Sequence, residues 1–173
     1  VAALLQSCGY GRSRLIVLEH LGGVKERLVE ITPDEAGRQS FADLNTLGIE
    51  CETYPEAAHF GASPGLPDDA FLHDGQLTKR EVRAASIAAL APYPGAVLWD
   101  VGAGCGSIAI EFLRASRGTR AFAIEDKESR RVMLADNANR LGVPDLKIIA
   151  GRAPEATAGL PQPDAVFIGG GIS

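Results

Sequence analysis

The sequence predicts an α/β protein whose larger part is a parallel-dominated, doubly wound sheet. Three observations predict it. From Asp68 onward, helical and extended patterns alternate, the order that builds a parallel sheet. The extended segments are short continuous apolar runs, such as Ala96-Val97-Leu98 and Ile148-Ile149-Ala150, which suit strands buried on both faces. A glycine-rich turn, Gly102-Ala103-Gly104-Cys105-Gly106, joins the first of these strands to the helix that follows.

In residues 1–52, Leu15-Ile16-Val17-Leu18 and Leu28-Val29-Glu30-Ile31 read as short strands around Gly22-Gly23. Thr32-Pro33-Asp34-Glu35 reads as a helix start, with Thr32 as N-cap and Pro33 at the first helical position. A further apolar stretch runs from Leu44 to Cys51. Residues 53–67 carry Pro55, Gly61, Pro64, Gly65 and Pro67 and read as a linker. The α/β domain then spans 68–173.

Within that domain, Thr78-Lys79-Arg80-Glu81 fits a capping box, with Thr78 accepting from the backbone N–H of Glu81. The helix continues through Val82, Ala85, Ala89 and Leu90 and ends before Pro92 and Pro94. Ala96–Asp100 is the first strand, followed by the glycine turn and a helix over about Ser107–Arg117, with Ile108, Phe112 and Ala115 on one face. A strand at Ala121–Glu125, a helix at Ser129–Leu141 and a strand at Leu146–Ala150 come next. After a proline-rich loop, Asp164–Ile168 is a fourth strand. No internal repeat is visible. There is no initiating Met, and the chain stops at Gly169-Gly170-Gly171-Ile172-Ser173, where a strand ends. The chain therefore reads as a piece of a longer protein, truncated in its second domain.

Composition narrows the function classes. With 46% hydrophobic and 23% charged residues in 173, the chain is an ordinary globular one. Residues 1–67 hold five Lys/Arg against nine Asp/Glu, and residues 68–173 hold twelve against thirteen. No basic stripe tracks phosphates, so nucleic acid is a poor partner. No apolar run approaches the roughly 20 residues that span a bilayer, and Val1-Ala2-Ala3-Leu4-Leu5 has no basic flank of a signal peptide. Cys8, Cys51 and Cys105 are scattered, as are His20, His59 and His73. Neither set shows metal-ligand spacing or a disulfide framework. No metal is expected, and a cytoplasmic location follows by default.

The chemistry centres on Asp100-Val101-Gly102-Ala103-Gly104-Cys105-Gly106-Ser107. Glycines at alternate positions let the backbone turn sharply and let a ligand approach where no Cβ stands. The following helix start offers N–H groups to an anionic or acceptor-rich ligand. A dinucleotide fingerprint needs its third glycine at the position of Ser107, one residue later than Gly106. Asp100, two residues before the first glycine at the strand tip, would repel a pyrophosphate but could accept from the ammonium of a methionine moiety. The pattern favours S-adenosylmethionine over NAD. Glu125, at the next strand end, can accept both ribose hydroxyls, the plainer alternative being a solvated acid. Gly151-Arg152-Ala153-Pro154-Glu155 follows the third strand and could let backbone meet an adenine edge, or be a plain turn. Lys127, Arg130 and Arg131 read as a solvated helix face, and Trp99 as core.

Residues 68–171 resemble the C-terminal methyltransferase domain of the decarboxylating precorrin-6Y methyltransferases of cobalamin biosynthesis. The matching pieces are Leu77-Thr78-Lys79-Arg80-Glu81-Val82-Arg83, Trp99–Gly106, Gly151–Ala156 and Phe167-Ile168-Gly169-Gly170-Gly171. Asp100–Gly106 is shared with class I methyltransferases at large, and the other three are more specific. Residues 1–52, through Ser13–Gly23 and Phe41-Ala42-Asp43-Leu44-Asn45, resemble the end of the tetrapyrrole methylase module of the fused enzyme.

The resemblance implies a Rossmann-like fold and S-adenosylmethionine-dependent methylation of a meso carbon of a precorrin, with loss of carbon dioxide from an acetate arm. It implies that Thr78, Gly102, Ala103, Gly104, Cys105, Gly106, Glu125, Gly151 and Ala153 contact the cofactor, with Asp100 beside them. Arg152 stands where the family is often acidic. Gly169, Gly170 and Gly171 would border the substrate, and a homotetramer is implied. The substrate carries many carboxylates, so cations at the cleft would position it. Lys79 and Arg83, four apart on one helix face, are candidates, or are plain surface charges. No acid or base is assigned to the decarboxylation. The rival readings are a class I methyltransferase for another small molecule, an NAD-dependent oxidoreductase and a non-catalytic binding module.

Overall fold

The computed structural model describes residues 1–54 and 60–169, so residues 55–59 of the expected linker, Gly170 and Gly171 lie outside the described residues. The chain divides into two compact units, Val1–His59 and Phe60–Ser173.

The first unit opens with a six-residue helix, α1 (Ala2–Ser7), and contains β1 (Arg14–Glu19), β2 (Arg27–Ile31), a single helical turn α2 (Pro33–Ala36) and β3 (Asn45–Glu50). The strands form an antiparallel sheet in the order β2-β1-β3, with Leu15 opposite both Ile31 and Ile49. Period-two alternation turns Leu15 and Val17 to the buried side. Thr32 is the N-cap and Pro33 the first helical residue, as the pattern indicates. The Thr32 N–H donates to the Glu35 carboxylate at 3.0 Å. Two elements were not singled out as such in the sequence. They are α1, too short to show a period, and β3, where Gly48 and Glu50 break the apolar run.

The second unit contains α3 (Arg80–Leu90), β4 (Val97–Val101), α4 (Ser107–Ala115), β5 (Arg120–Glu125), α5 (Glu128–Arg140), β6 (Lys147–Ala150) and β7 (Ala165–Ile168). All strands are parallel, in the order β6-β5-β4-β7. The order runs outward from β4 through β5 to β6, and the chain then returns to place β7 on the other side of β4. That reversal opens a crevice at the carboxyl ends of β4 and β7, the place where such sheets bind ligands. The strands keep their expected positions to within one residue. The core joins one face of the sheet, through Leu98, Ala121 and Ala123 with Ile148 and Phe167, to Ile87, Ile108, Phe112 and Leu134 of the helices. α4 is buried on almost every side, because it lies between α3, α5 and the sheet.

Three expectations change here. Thr78 is not a cap: the helix starts at Arg80, with Lys79 as an extended N-cap that makes no side-chain cap bond. The Thr78 carbonyl is instead held by the Arg83 guanidinium. Arg83 is wholly buried, against the Phe71 ring and paired with Glu111 and Asp68. It is no substrate cation, because its planar fork is already filled by two carboxylates and the Thr78 and Leu66 carbonyls. The end of the expected linker is also no free tether. Leu66 is buried, and the N–H groups of Gly65 and Leu66 donate to the Glu111 carboxylate at 2.6 and 3.0 Å.

Candidate functional site

The glycine turn leaves β4 with left-handed backbone at Gly102, Gly104 and Gly106 (φ +72°, +58° and +82°), a region that costs other residues roughly 1–2 kcal/mol. The N–H groups of Gly102 and Ala103 both donate to the Ile124 carbonyl, at 2.9 and 3.0 Å, hooking the turn onto β5. The three glycines differ in what faces them. A Cβ on Gly104 would meet nothing within 4 Å, whereas one on Gly106 would stand 2.6 Å from Leu134 Cγ. Gly104 therefore looks into open space, and Gly106 is required for packing against α5. Its close neighbour is thus a side chain of α5.

Asp100 lies just before the strand tip and lines a cavity together with Gly102–Cys105 of the turn. It sits one residue inside β4, and strand alternation turns it toward α4, where Oδ2 accepts from the Ala109 N–H at 3.1 Å. Oδ1 is buried and has no partner among the described residues. Burial pushes the Asp100 carboxyl up to about 7; the Ala109 N–H opposes this and the Glu125 charge adds to it. A buried oxygen without a donor is costly, and an ammonium group or a proton satisfies it where a pyrophosphate would not.

Glu125 ends β5, 5% exposed. Its Oε2 accepts from Gly104 N–H at 2.8 Å and its Oε1 from Lys127 N–H at 2.9 Å. Each oxygen keeps capacity for a further donor such as a hydroxyl.

Two cavities flank the turn. One, about 350 Å³, is lined by Thr78, Asp100, Gly102–Cys105, Ser107, Phe167 and Gly169. The other, about 300 Å³, is lined by Glu125, Asp126, Lys127, Gly151, Arg152 and Ala153. Gly102 and Arg130 line both. Almost all expected contacts are thus gathered around one turn. A third cavity, about 530 Å³, lies at the amino ends of β5 and β6 among Leu113, Phe122, Val143 and Ile149. It is larger, but it holds none of these polar groups.

The remaining expected residues fall as follows. Cys105 lines the first cavity with its thiol buried, which raises its pKa. Arg152 turns its side chain outward to Asp126 at 2.9 Å, 81% exposed. Lys79 is exposed and pairs with Asp68 at 3.6 Å. Gly169 donates to the Val101 carbonyl at 2.8 Å, and a Cβ there would stand 3.0 Å from the Gly102 carbonyl. Trp99 is half-buried and its indole N–H donates to the Pro161 carbonyl at 3.1 Å.

Arg130, read as part of a solvated face, was missed. It reaches Asp74 and Gln76 at 2.8 and 2.6 Å, partners more than 50 residues away that no local pattern shows. Among the described residues no cluster suits a metal ion, and no helix is long and apolar enough to cross a membrane.

A family model described as a precorrin methyltransferase domain matches residues 69–173. Over its whole length the chain is 47% identical to a decarboxylating precorrin-6Y C(5,15)-methyltransferase of Sinorhizobium sp, covering 42% of that protein. It is 40% identical to one of Mycobacterium tuberculosis, covering 43%. The chain therefore spans less than half the length of these relatives. Among solved structures, the C-terminal domain of precorrin-6Y C5,15-methyltransferase from Rhodobacter capsulatus matches with a TM-score of 0.62 and 46% identity, over 66% of this chain and 61% of that one. The corresponding enzyme from Geobacter metallireducens GS-15 matches with a TM-score of 0.57 and 34% identity, over 60% and 55%. With a parallel Rossmann-like sheet whose glycine turn lies within the matched residues, the chain belongs to the precorrin methyltransferase family.

Proposed function

We propose that residues 60–169 hold the S-adenosylmethionine site of an enzyme that methylates a meso carbon of a precorrin, of precorrin-6Y type, with loss of carbon dioxide from a neighbouring acetate arm. One observation carries this reading. Two cavities share Gly102, one lined by Asp100, whose buried Oδ1 has no partner among the described residues, the other lined by Glu125. The relatives' printed names supply the substrate class and the decarboxylation.

In this reading Asp100 accepts from the ammonium of the amino-acid end, directly or through water, with Thr78, Ala103, Gly104 and Cys105 around it. Glu125 accepts from ribose hydroxyls, and Gly151 and Ala153 border the base. Bound S-adenosylmethionine supplies a methyl group already activated on a sulfonium, so no catalytic nucleophile is demanded of the chain. The chain's task is to align the reactants and keep water out. Leu77 and Phe167 give the first cavity apolar walls for that purpose. Gly169, followed by Gly170 and Gly171, borders the tetrapyrrole, and exposed Lys79 offers a charge to its carboxylates. No side chain is assigned to the release of carbon dioxide. A cytoplasmic setting, supported by three free cysteines, and a homotetramer belong to the same proposal. Light scattering tests the tetramer.

Calorimetric titration with S-adenosylhomocysteine and with NADH tests the cofactor. Binding of the first and not the second is expected. Binding of NADH alone, or of neither, rejects the reading.

A further inference from the structure

Among the described residues, Arg130 is the one cation that lines both cavities. It projects from the first turn of α5 and is 16% exposed. One edge of its guanidinium is occupied: Nε donates to Asp74 Oδ2 at 2.8 Å, and Nη2 donates to Gln76 Oε1 at 2.6 Å. Its Nη1 has no partner among the described residues. A guanidinium is a rigid planar fork, so clamping one edge fixes where the Nη1 hydrogens point. A ligand acceptor then binds without the usual entropy cost of ordering a long side chain. Asp74 neutralises part of the charge, yet a hydrogen bond from a guanidinium to a carboxylate remains among the stronger ones. Two other arginines near the turn are placed differently. Arg152 is exposed and paired with Asp126, and Arg131 donates to the Glu125 and Asp126 carbonyls.

We propose that Arg130 anchors a ligand carboxylate through Nη1, with Asp74 and Gln76 holding the guanidinium in place. The inference rests on the cofactor reading above. The two carboxylate sources are the amino-acid end of the bound nucleoside and the acid arms of the tetrapyrrole. The nucleoside is favoured, because Arg130 shares the first cavity with Asp100, and the two would read the carboxylate and the ammonium of one amino acid.

The test is calorimetry on the full chain, wild type and Arg130→Gln, with three probes. These are S-adenosylhomocysteine, 5′-methylthioadenosine, which lacks the amino-acid end, and uroporphyrin, a tetrapyrrole with carboxylates on every ring. The substitution is expected to weaken S-adenosylhomocysteine roughly tenfold to a hundredfold and to leave 5′-methylthioadenosine within about twofold. A loss confined to uroporphyrin supports the anchor and assigns its carboxylate to the tetrapyrrole. Equal loss for both nucleosides, or no loss with any probe, overturns the proposal. If Arg130→Gln fails to fold, Arg130→Lys carries the same comparison, since it keeps the charge without the fork. Wild-type chain that binds neither nucleoside rejects the cofactor reading and this one with it. Wild-type binding with an unchanged variant rejects only the anchor.

Discussion

The N–H of Gly104 donates to Oε2 of Glu125 across 2.8 Å, while the other oxygen of that carboxylate accepts from Lys127 N–H at 2.9 Å. One side chain at the end of β5 thus braces both the glycine turn and the start of α5. A glutamine has a single acceptor oxygen, so Glu125→Gln must set its NH2 against one of these donors. The expected cost is about 1–3 kcal/mol, read as a lower urea midpoint, together with a weakened affinity for S-adenosylhomocysteine. A variant with the wild-type midpoint would show that the brace carries no load.

Asp100 gives a pH signature with a defined sign. Its carboxyl stands at about 7 in the folded chain against an ordinary value of 3.8. The folded state therefore binds the extra proton, and stability from this group is fully present below the ordinary value. It falls as pH rises and is gone above about 7. Asp100→Asn keeps the acceptor for Ala109 and removes the ionisation. It should flatten the fall between pH 5 and 8 and be the more stable protein at pH 8, by on the order of 2–4 kcal/mol. Urea titrations of both proteins at the two pH values check this, and parallel curves would contradict it.

Alanine at the glycines separates binding from folding. Gly104→Ala carries a positive φ but open space, so it should cost about 1–2 kcal/mol of stability and abolish nucleoside binding. Gly106→Ala adds a collision with Leu134 and should cost about 2–4 kcal/mol. Thermal melting with calorimetry distinguishes the two. Similar melting temperatures for both would refute the packing role of Gly106.

Arg83 and Lys79, equivalent as sequence, should behave oppositely. Arg83→Met leaves the Glu111 carboxylate buried without its cation and should destabilise by about 3–5 kcal/mol. Lys79→Ala breaks one exposed pair and should stay within about 0.5 kcal/mol. Burial alone would raise the Asp68 pKa. The hydrogen bond and charge of Arg83, with the charge of Lys79, outweigh this and hold it below the usual value. Removing Arg83 should therefore raise it, observable by NMR titration.

The sheet and its helices were legible because burial on both sides of a strand writes short unbroken apolar runs, and those runs bound β4 to β7 closely. The turn was legible because only glycine tolerates its backbone. Which glycine met the open space was not, since Gly104 and Gly106 look alike until Leu134 is placed. Arg83 and Arg130 were misread for one shared reason. Their surroundings come from residues distant in sequence, and a charged residue on a helix defaults to the solvent face. One signal was available. Glu111 stands in Ile108-Ala109-Ile110-Glu111-Phe112, a helix apolar around it, and a carboxylate there needs a buried cation.

Glu111 also has a practical bearing on how this domain is cut. Its carboxylate accepts from the N–H groups of Gly65 and Leu66, and Arg114, one turn further along α4, donates to the Phe60 and Gly61 carbonyls. An expression boundary drawn at the first regular helix would therefore amputate the backbone that these two side chains grip. It would strip Glu111 of both backbone donors, leaving Arg83 to hold it, and strip Arg114 of the Phe60 and Gly61 carbonyls, so an excised domain should retain everything from Phe60 onward.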